Sequence, residues 1–248
     1  LGLQMPPKKS RTSKNILRLF GLLAFIWLFG FAAFGQSIQS PDGKLSLSIA
    51  LSGDGEATYQ LSFAGRPVLQ KSKLGIELKD QPAFTKGFTI VKADTSQKDE
   101  TWEPVWGEVK RIRNHYKELT VTLQQAAQKN RTMIIRFRLF NDGLGFRYEF
   151  PEQSELKYFT VSDEGTEFSL TGDHKTFWIP GDYDTNEYAY STTKLSEVDA
   201  TKGNAAQEIT ARWVIAGDAV QTPLMMKTSD GLYINIHEAA LVNYPAMN

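Results

Sequence analysis

Strict alternation of apolar and polar residues is the feature that most limits what this chain can become. In KLSLSIAL (44–51), Leu45, Leu47 and Ile49 fall on one side of an extended chain, with Ser46 and Ser48 on the other. Successive side chains of a strand point to opposite faces, so this is a strand with one buried face. The pattern returns in TYQLSF (58–63), ELTVTLQQ (118–125), TMIIRFRLF (132–140), LGFRYEF (144–150), ITARWVIAG (209–217) and LYINIHEA (232–239). SGDGEA, AGRP, NDG and SDG punctuate it with residues that favour tight turns. Counting in this way predicts roughly fifteen short strands and no amphipathic helix beyond a short helical turn within 190–206. That number is too large for one small sheet, so the expected fold class is all-β: a large antiparallel two-sheet β-sandwich, a super-sandwich.

The first 35 residues do not follow this pattern. Lys8, Lys9, Arg11, Lys14 and Arg18 precede an uncharged apolar run, LFGLLAFIWLFGFAAF (19–34), and Ala33 and Gly35 are small residues placed for a cut ahead of Gln36. This is the layout of a secretory signal peptide, shorter than a membrane-spanning helix requires. Met5 is a more natural start than Leu1. The expected division is therefore a signal peptide over 1–35 and one β-sandwich domain over 36–248. After cleavage no stable membrane anchor is expected.

The chain has 28 basic and 28 acidic residues; removing the five basic ones of 1–35 leaves 23 against 28, a net charge of −5. That balance provides no basic footprint for nucleic acid. There is no cysteine, hence no disulfide framework and no thiolate metal site. Export without cysteine fits a bacterial periplasm.

Most motifs of known chemistry are missing. HEAAL (237–241) opens like a zinc-protease helix but has Leu241 where the second His is required. His115 and His174 stand in turn-like contexts without a partner His and are expected at the surface. No nucleophile elbow, phosphate-binding loop, dinucleotide fingerprint or calcium-binding EF-hand spacing occurs.

One stretch does not read as strand. GDYDTNEYAYSTTKL (181–195) sets Asp182, Asp184 and Glu187 among Tyr183, Tyr188 and Tyr190, just after Trp178 and Pro180. Carboxylates are hard oxygen donors suited to Ca²⁺. Tyrosine offers a flat apolar face with a polar tip, which suits a sugar ring. Asp and Asn are also ordinary turn formers, so residue types alone leave a plain surface loop open. In TWEPVWGE (101–108), Trp102 and Trp106 could stack on sugar, pack an edge of the sandwich or meet a following domain; packing is the expectation. ALVNYPAMN (240–248) reads as an apolar strand continuing to Asn248, as in a chain cut from something longer.

Five segments in order, SPDGKLSLSI (40–49), TWEPVWGE (101–108), IRFRLFNDGLGFRYEFP (135–151), GDYDTNEYAYSTTKLSEV (181–198) and LYINIHEAALVNYPAMN (232–248), resemble the N-terminal domain of glycoside hydrolase family 97. These are α-glucosidases and α-galactosidases of glycan-using Gram-negative bacteria. The resemblance covers essentially all of 36–248. It implies a super-sandwich that packs on a downstream catalytic (β/α)8 barrel, with the catalytic carboxylates in that barrel and none here. It implies an α-linked oligosaccharide substrate, Ca²⁺ as cofactor and one glutamate lent by this domain as a metal ligand; the matching residue is Glu187, followed by Tyr188. Asp182 and Asp184 match no ligand position. The alternatives are a stand-alone carbohydrate-binding sandwich using Trp102, Trp106 and the 183–190 tyrosines, and an adhesion or structural sandwich.

Overall fold

The computed structural model describes residues 35–154, 156–202, 214–242 and 244–247. The signal-peptide expectation lies almost wholly outside them, as does most of the strand expected at 209–217. Two four-stranded antiparallel sheets form the body of the fold. The first runs β1 (Gln36–Gln39), β2 (Leu45–Leu51), β3 (Ala57–Phe63), β4 (Arg66–Leu74), in chain order. The second runs β6 (Phe88–Trp102), β7 (Ile112–Gln125), β8 (Arg131–Leu139), β9 (Leu144–Glu149), again in chain order.

The alternation read from the sequence is the burial seen in space. Leu45, Leu47 and Ile49 of β2 are buried, as are Met133, Ile135, Phe137 and Leu139 of β8. These two faces meet in one core, where the Tyr59 ring of β3 lies 6.5 Å from Phe137 and 5.7 Å from Phe146. Apolar area leaving water here is the main stabilising contribution. The Tyr59 hydroxyl stays satisfied by donating to the Glu167 carbonyl at 2.8 Å, and burial raises its pKa.

Turn chemistry ties the sheets together. Gly55, in the β2–β3 turn, has φ +77 and accepts the Phe88 N–H at 3.1 Å. A Cβ there would lie 2.5 Å from the Phe88 nitrogen, so only glycine allows the approach.

The outer face of the second sheet carries an ion ladder. Arg136 grips Glu149 through Nε–Oε1 at 2.7 Å and Nη2–Oε2 at 3.0 Å, and reaches Glu118 Oε1 at 2.6 Å. Arg138 Nε donates to Glu118 Oε2 at 2.7 Å. Burial of Glu118 raises its pKa, but the bonds from Arg138 and Arg136 outweigh it and the net shift is downward.

The sandwich is all-β as expected, but the sheet division is finer than two. β5 (Ile76–Leu78) pairs with β10 (Val161–Glu164), and a third four-stranded sheet runs in the order β12 (Ser191–Lys194), β11 (Lys175–Trp178), β13 (Leu224–Lys227), β14 (Tyr233–Ile236). The reason is punctuation: beyond β9, Gly, Pro and Asp recur so often that strands stop after four residues. Met226 and Ile234 of this third sheet still enter the common core. The expected helical turn is the 3-10 turn Leu195–Glu197. The strand expected over 240–248 is not formed by the described residues there.

β6 and β7 form a ribbon that outruns its sheet. They pair from Phe88 with Gln125 out to Trp102 with Ile112, whereas β8 joins β7 only from Lys117 onward. Asp99 and Arg113, bonded at 2.8 and 2.7 Å, staple the projecting part.

Candidate functional site

The irregular loop begins where β11 ends. Trp178 is buried, and its indole N–H donates to Thr193 Oγ1 at 3.0 Å. It is thus a support beneath the loop and presents no face to a sugar. Gly181 donates to the Ala219 carbonyl at 2.8 Å and accepts from Ile215 at 2.9 Å. The approach is close: a Cβ on Gly181 would lie 3.1 Å from the Ala219 Cβ.

Asp182 follows, only 5% exposed, and the loop is wrapped around it. Its Oδ1 accepts the N–H groups of Asp184 at 2.8 Å and Thr185 at 3.2 Å. Its Oδ2 accepts the Tyr188 hydroxyl at 2.6 Å. Gln221 Nε2 donates to the Asp182 carbonyl at 3.0 Å, holding the loop from below. Thr185 Oγ1 accepts the Glu187 N–H at 3.1 Å. The three carboxylates therefore separate into different roles: Asp182 is internal, whereas Asp184 and Glu187 are exposed. Tyr188 is half-buried, and Tyr183 and Tyr190 face solvent.

The Glu187 carboxylate has no hydrogen-bond or ion-pair partner among the described residues. It fits a single hard-oxygen donor for a calcium ion. It does not fit a whole site, because no group of three or more His, Cys, Asp or Glu residues that could hold a metal occurs among the described residues.

Trp102 and Trp106 sit at the free end of the β6–β7 ribbon. Trp106 is 88% exposed and Val105 fully so, with Val109 and Ile112 beside them. Of the two packings expected for the tryptophans, the one on an edge of the sandwich is corrected, because the ribbon carries them beyond the third strand; packing on a following domain stays an expectation. His174 is corrected in the opposite direction. It is buried, its Nε2 lies 3.3 Å from Thr171 Oγ1, and its carbonyl accepts from Leu195 at 3.0 Å. His237 and Glu238 lie past the end of β14, where Glu238 Oε2 accepts the Met247 N–H at 3.0 Å.

Asp182, named from the sequence only as one of three loop carboxylates, is the one that organises the loop. The signal available was its position directly after Pro180-Gly181 and two residues before Asp184, the spacing at which an aspartate bonds the backbone ahead of it.

Fold and loop together define an all-β sandwich domain that presents an exposed carboxylate among tyrosines on a strapped, irregular segment. Residues 38–248 match the family described as glycosyl-hydrolase 97 N-terminal, and the chain belongs to that family. A retaining α-galactosidase of Bacteroides thetaiotaomicron is 26% identical over 85% of this chain. A glycoside hydrolase family 97 enzyme of Pseudoalteromonas sp. strain K8, solved in complex with panose, superposes over 85% of this chain with a TM-score of 0.73 and 33% identity. The same enzyme solved with acarbose gives 0.72. A β-arabinopyranosidase, 19% identical, shares the fold with a TM-score of 0.69. The chain spans 30% of the length of the α-galactosidase and 29% of the Pseudoalteromonas enzyme.

Proposed function

We propose that this chain is the N-terminal domain of an exported, calcium-dependent, exo-acting α-glycoside hydrolase of a Gram-negative periplasm, that it packs on a catalytic barrel following it, and that it lends that barrel's site one carboxylate, Glu187. The observation that carries the reading is the family match over 38–248, shared with relatives about three times as long whose names are those of glycosidases. The exposed, unpartnered Glu187 supports the finer part of it.

The catalytic pair would stand outside these residues, since hydrolysis of a glycosidic bond needs two carboxylates flanking the scissile bond. Calcium takes roughly six to eight oxygens, so the other ligands would come from the barrel. When bound, the ion supplies positive charge that holds sugar hydroxyls and lowers the pKa of nearby acids. In this chain, Asp182 and Thr185 fix the backbone on which Glu187 stands, and Tyr183 and Tyr190 present faces that would wall the site or the domain junction.

The test is calcium titration of the whole enzyme and of residues 36–248 alone. The whole enzyme is expected to bind Ca²⁺ and to hydrolyse α-linked aryl glycosides. Glu187→Gln is expected to weaken its calcium affinity about tenfold or more. An unchanged affinity sinks the role of Glu187, and micromolar binding by the isolated domain sinks the shared site. Reading the coding DNA past codon 248 tests the barrel itself.

A second reading, a carbohydrate-binding sandwich without catalysis, is favoured by the exposure of Trp102 and Trp106. It requires sugar affinity in residues 36–248 alone that Trp106→Ala removes.

A further inference from the structure

Three lysines stand in one row at the end of the third sheet. Lys175 of β11 is directly opposite Lys194 of β12 on one side and Lys227 of β13 on the other. Directly opposed residues on antiparallel neighbours share a face with their Cβ atoms about 5 Å apart, and like charges in that arrangement destabilise a sheet. Lysine on an edge strand has an ordinary purpose, to deter pairing with other chains. That account covers Lys194, since β12 is an edge, but β11 and β13 are interior strands.

The row also lacks close ion pairs among the described residues, although the charge of Lys194 acts on the Asp173 carboxylate. The ion pairs of this chain place other lysines against carboxylates, and none of these three has such a partner among the described residues. Lys175 and Lys227 lie instead over the rings of Phe177 at 5.4 Å and Tyr233 at 5.0 Å. Two carboxylates, Asp173 and Asp230, line the same groove as the lysines, each with hydrogen-bond partners other than the row. Asp173 accepts the N–H and hydroxyl of Ser196 at 2.9 and 2.8 Å. Asp230 is paired with Arg66 at 2.6 Å, and Glu197 accepts the Lys194 N–H at 3.0 Å.

All three lysines line a half-open groove of about 1170 Å³. Its other wall is the outer, polar face of the first sheet, where Ser46, Ser48, Gln60, Ser62 and Gln70 offer hydroxyls and amides. We infer that this groove is a binding site for a saccharide bearing sulfate or carboxylate groups, with the Lys194–Lys175–Lys227 row taking the anionic substituents and the serine and glutamine wall taking the ring hydroxyls. The arrangement is unfavourable when empty and becomes favourable when an anion is shared among the ammonium groups. The inference goes beyond the proposed function and does not depend on Glu187.

The experiment uses the whole protein that carries this domain. Its affinity is measured at low and moderate salt for dextran sulfate and for polygalacturonate, with neutral dextran and phosphate-rich phospholipid vesicles as controls. The variant K175A/K194A/K227A is compared with K73A/K92A/K98A, which removes the same charge from lysines that are already paired. The expected result is binding of at least one anionic polymer, weakened about tenfold in the row variant and little changed in the control. Equal losses in both variants would reduce the effect to net charge and overturn the site. Failure to bind either anionic polymer overturns it, as does binding to the vesicles alone. A second measurement separates binding from architecture. Lys175→Thr is expected to raise the Tm of the ligand-free protein, because it removes the central repulsion, and to shrink the Tm rise on adding polymer. A fall in the ligand-free Tm would mark Lys175 as a structural residue and count against the proposal.

Discussion

Tyr188 donates its phenol hydrogen to Asp182 Oδ2 at 2.6 Å, closing a loop between residues six apart. This bond and the two backbone N–H groups on Oδ1 give a buried carboxylate its compensation, and they are why an otherwise irregular segment has one shape. Asp182→Ala leaves those donors without their acceptor and is expected to destabilise the domain by about 2–3 kcal/mol. Tyr188→Phe removes one bond and is expected to cost about 1 kcal/mol. Urea unfolding midpoints of the two variants check the order; equal effects would mean that the loop is not organised from Asp182.

Glu149 predicts the acid limb of stability. The two hydrogen bonds from Arg136 come first among the causes and, with Arg147, hold its pKa at about 2, against an ordinary value of 4.5. A carboxylate whose pKa is lower in the folded state stabilises fully above its unfolded pKa, and that contribution is lost as the pH falls. The loss is therefore expected between about pH 4.5 and 2, and Glu149→Gln should flatten the Tm–pH profile in that window. A variant profile parallel to wild type would remove Glu149 from the account.

Gly55→Ala combines a left-handed backbone with a Cβ 2.5 Å from the Phe88 nitrogen. The β2–β3 turn or the start of β6 must move, at an expected cost of about 2 kcal/mol or more. Gly43→Ala is the control: its φ is +75 but nothing lies within 4 Å of the added carbon. The difference between the two unfolding free energies isolates the contact from the backbone strain.

Trp106→Ser should leave the stability of the domain within about 0.5 kcal/mol of wild type, because the indole lies off the sandwich. Acrylamide quenching of tryptophan fluorescence in residues 36–248, compared between wild type and this variant, should show the lost indole to be the most accessible one. A large drop in Tm would place the ribbon tip against the body of the fold.

The alternation at 44–51 and 132–140 made the sandwich and its inward residues legible, because one face of each strand is buried and the other is not. β6 escaped notice for the complementary reason. From Val91 to Trp102 it is almost wholly exposed, with no apolar stripe, and its extended form comes from backbone pairing with β7. The different fates of Asp182 and Asp184 were legible only in part: the spacing carried a signal for backbone bonding by Asp182, but its burial depends on the 214–221 segment, which returns beside it from further along the chain. The lysine row was beyond reach because it depends on the register of strands distant in the chain. Glu187 was nameable only through the family resemblance; its exposure is what the structure adds.

Within each of the two large sheets, the strands pair in chain order, and the outer edge of β4 also meets a distant segment, where the Gln70 N–H donates to the Ser169 carbonyl at 2.7 Å and the Lys73 carbonyl accepts the Glu167 N–H at 3.0 Å. Each sheet can thus zip up from its own turns without waiting for distant residues, and little loop entropy is lost in doing so. The third sheet cannot, since β11 must wait for β13 across the whole of the candidate loop. A chain emerging from its site of synthesis would form the two meanders first and knit the third sheet last. Native-state hydrogen exchange should find the amides of β13 and β14 opening before those of β7 and β8. The segment holding Glu187 and the three lysines would then be the part of the molecule that folds late and yields early.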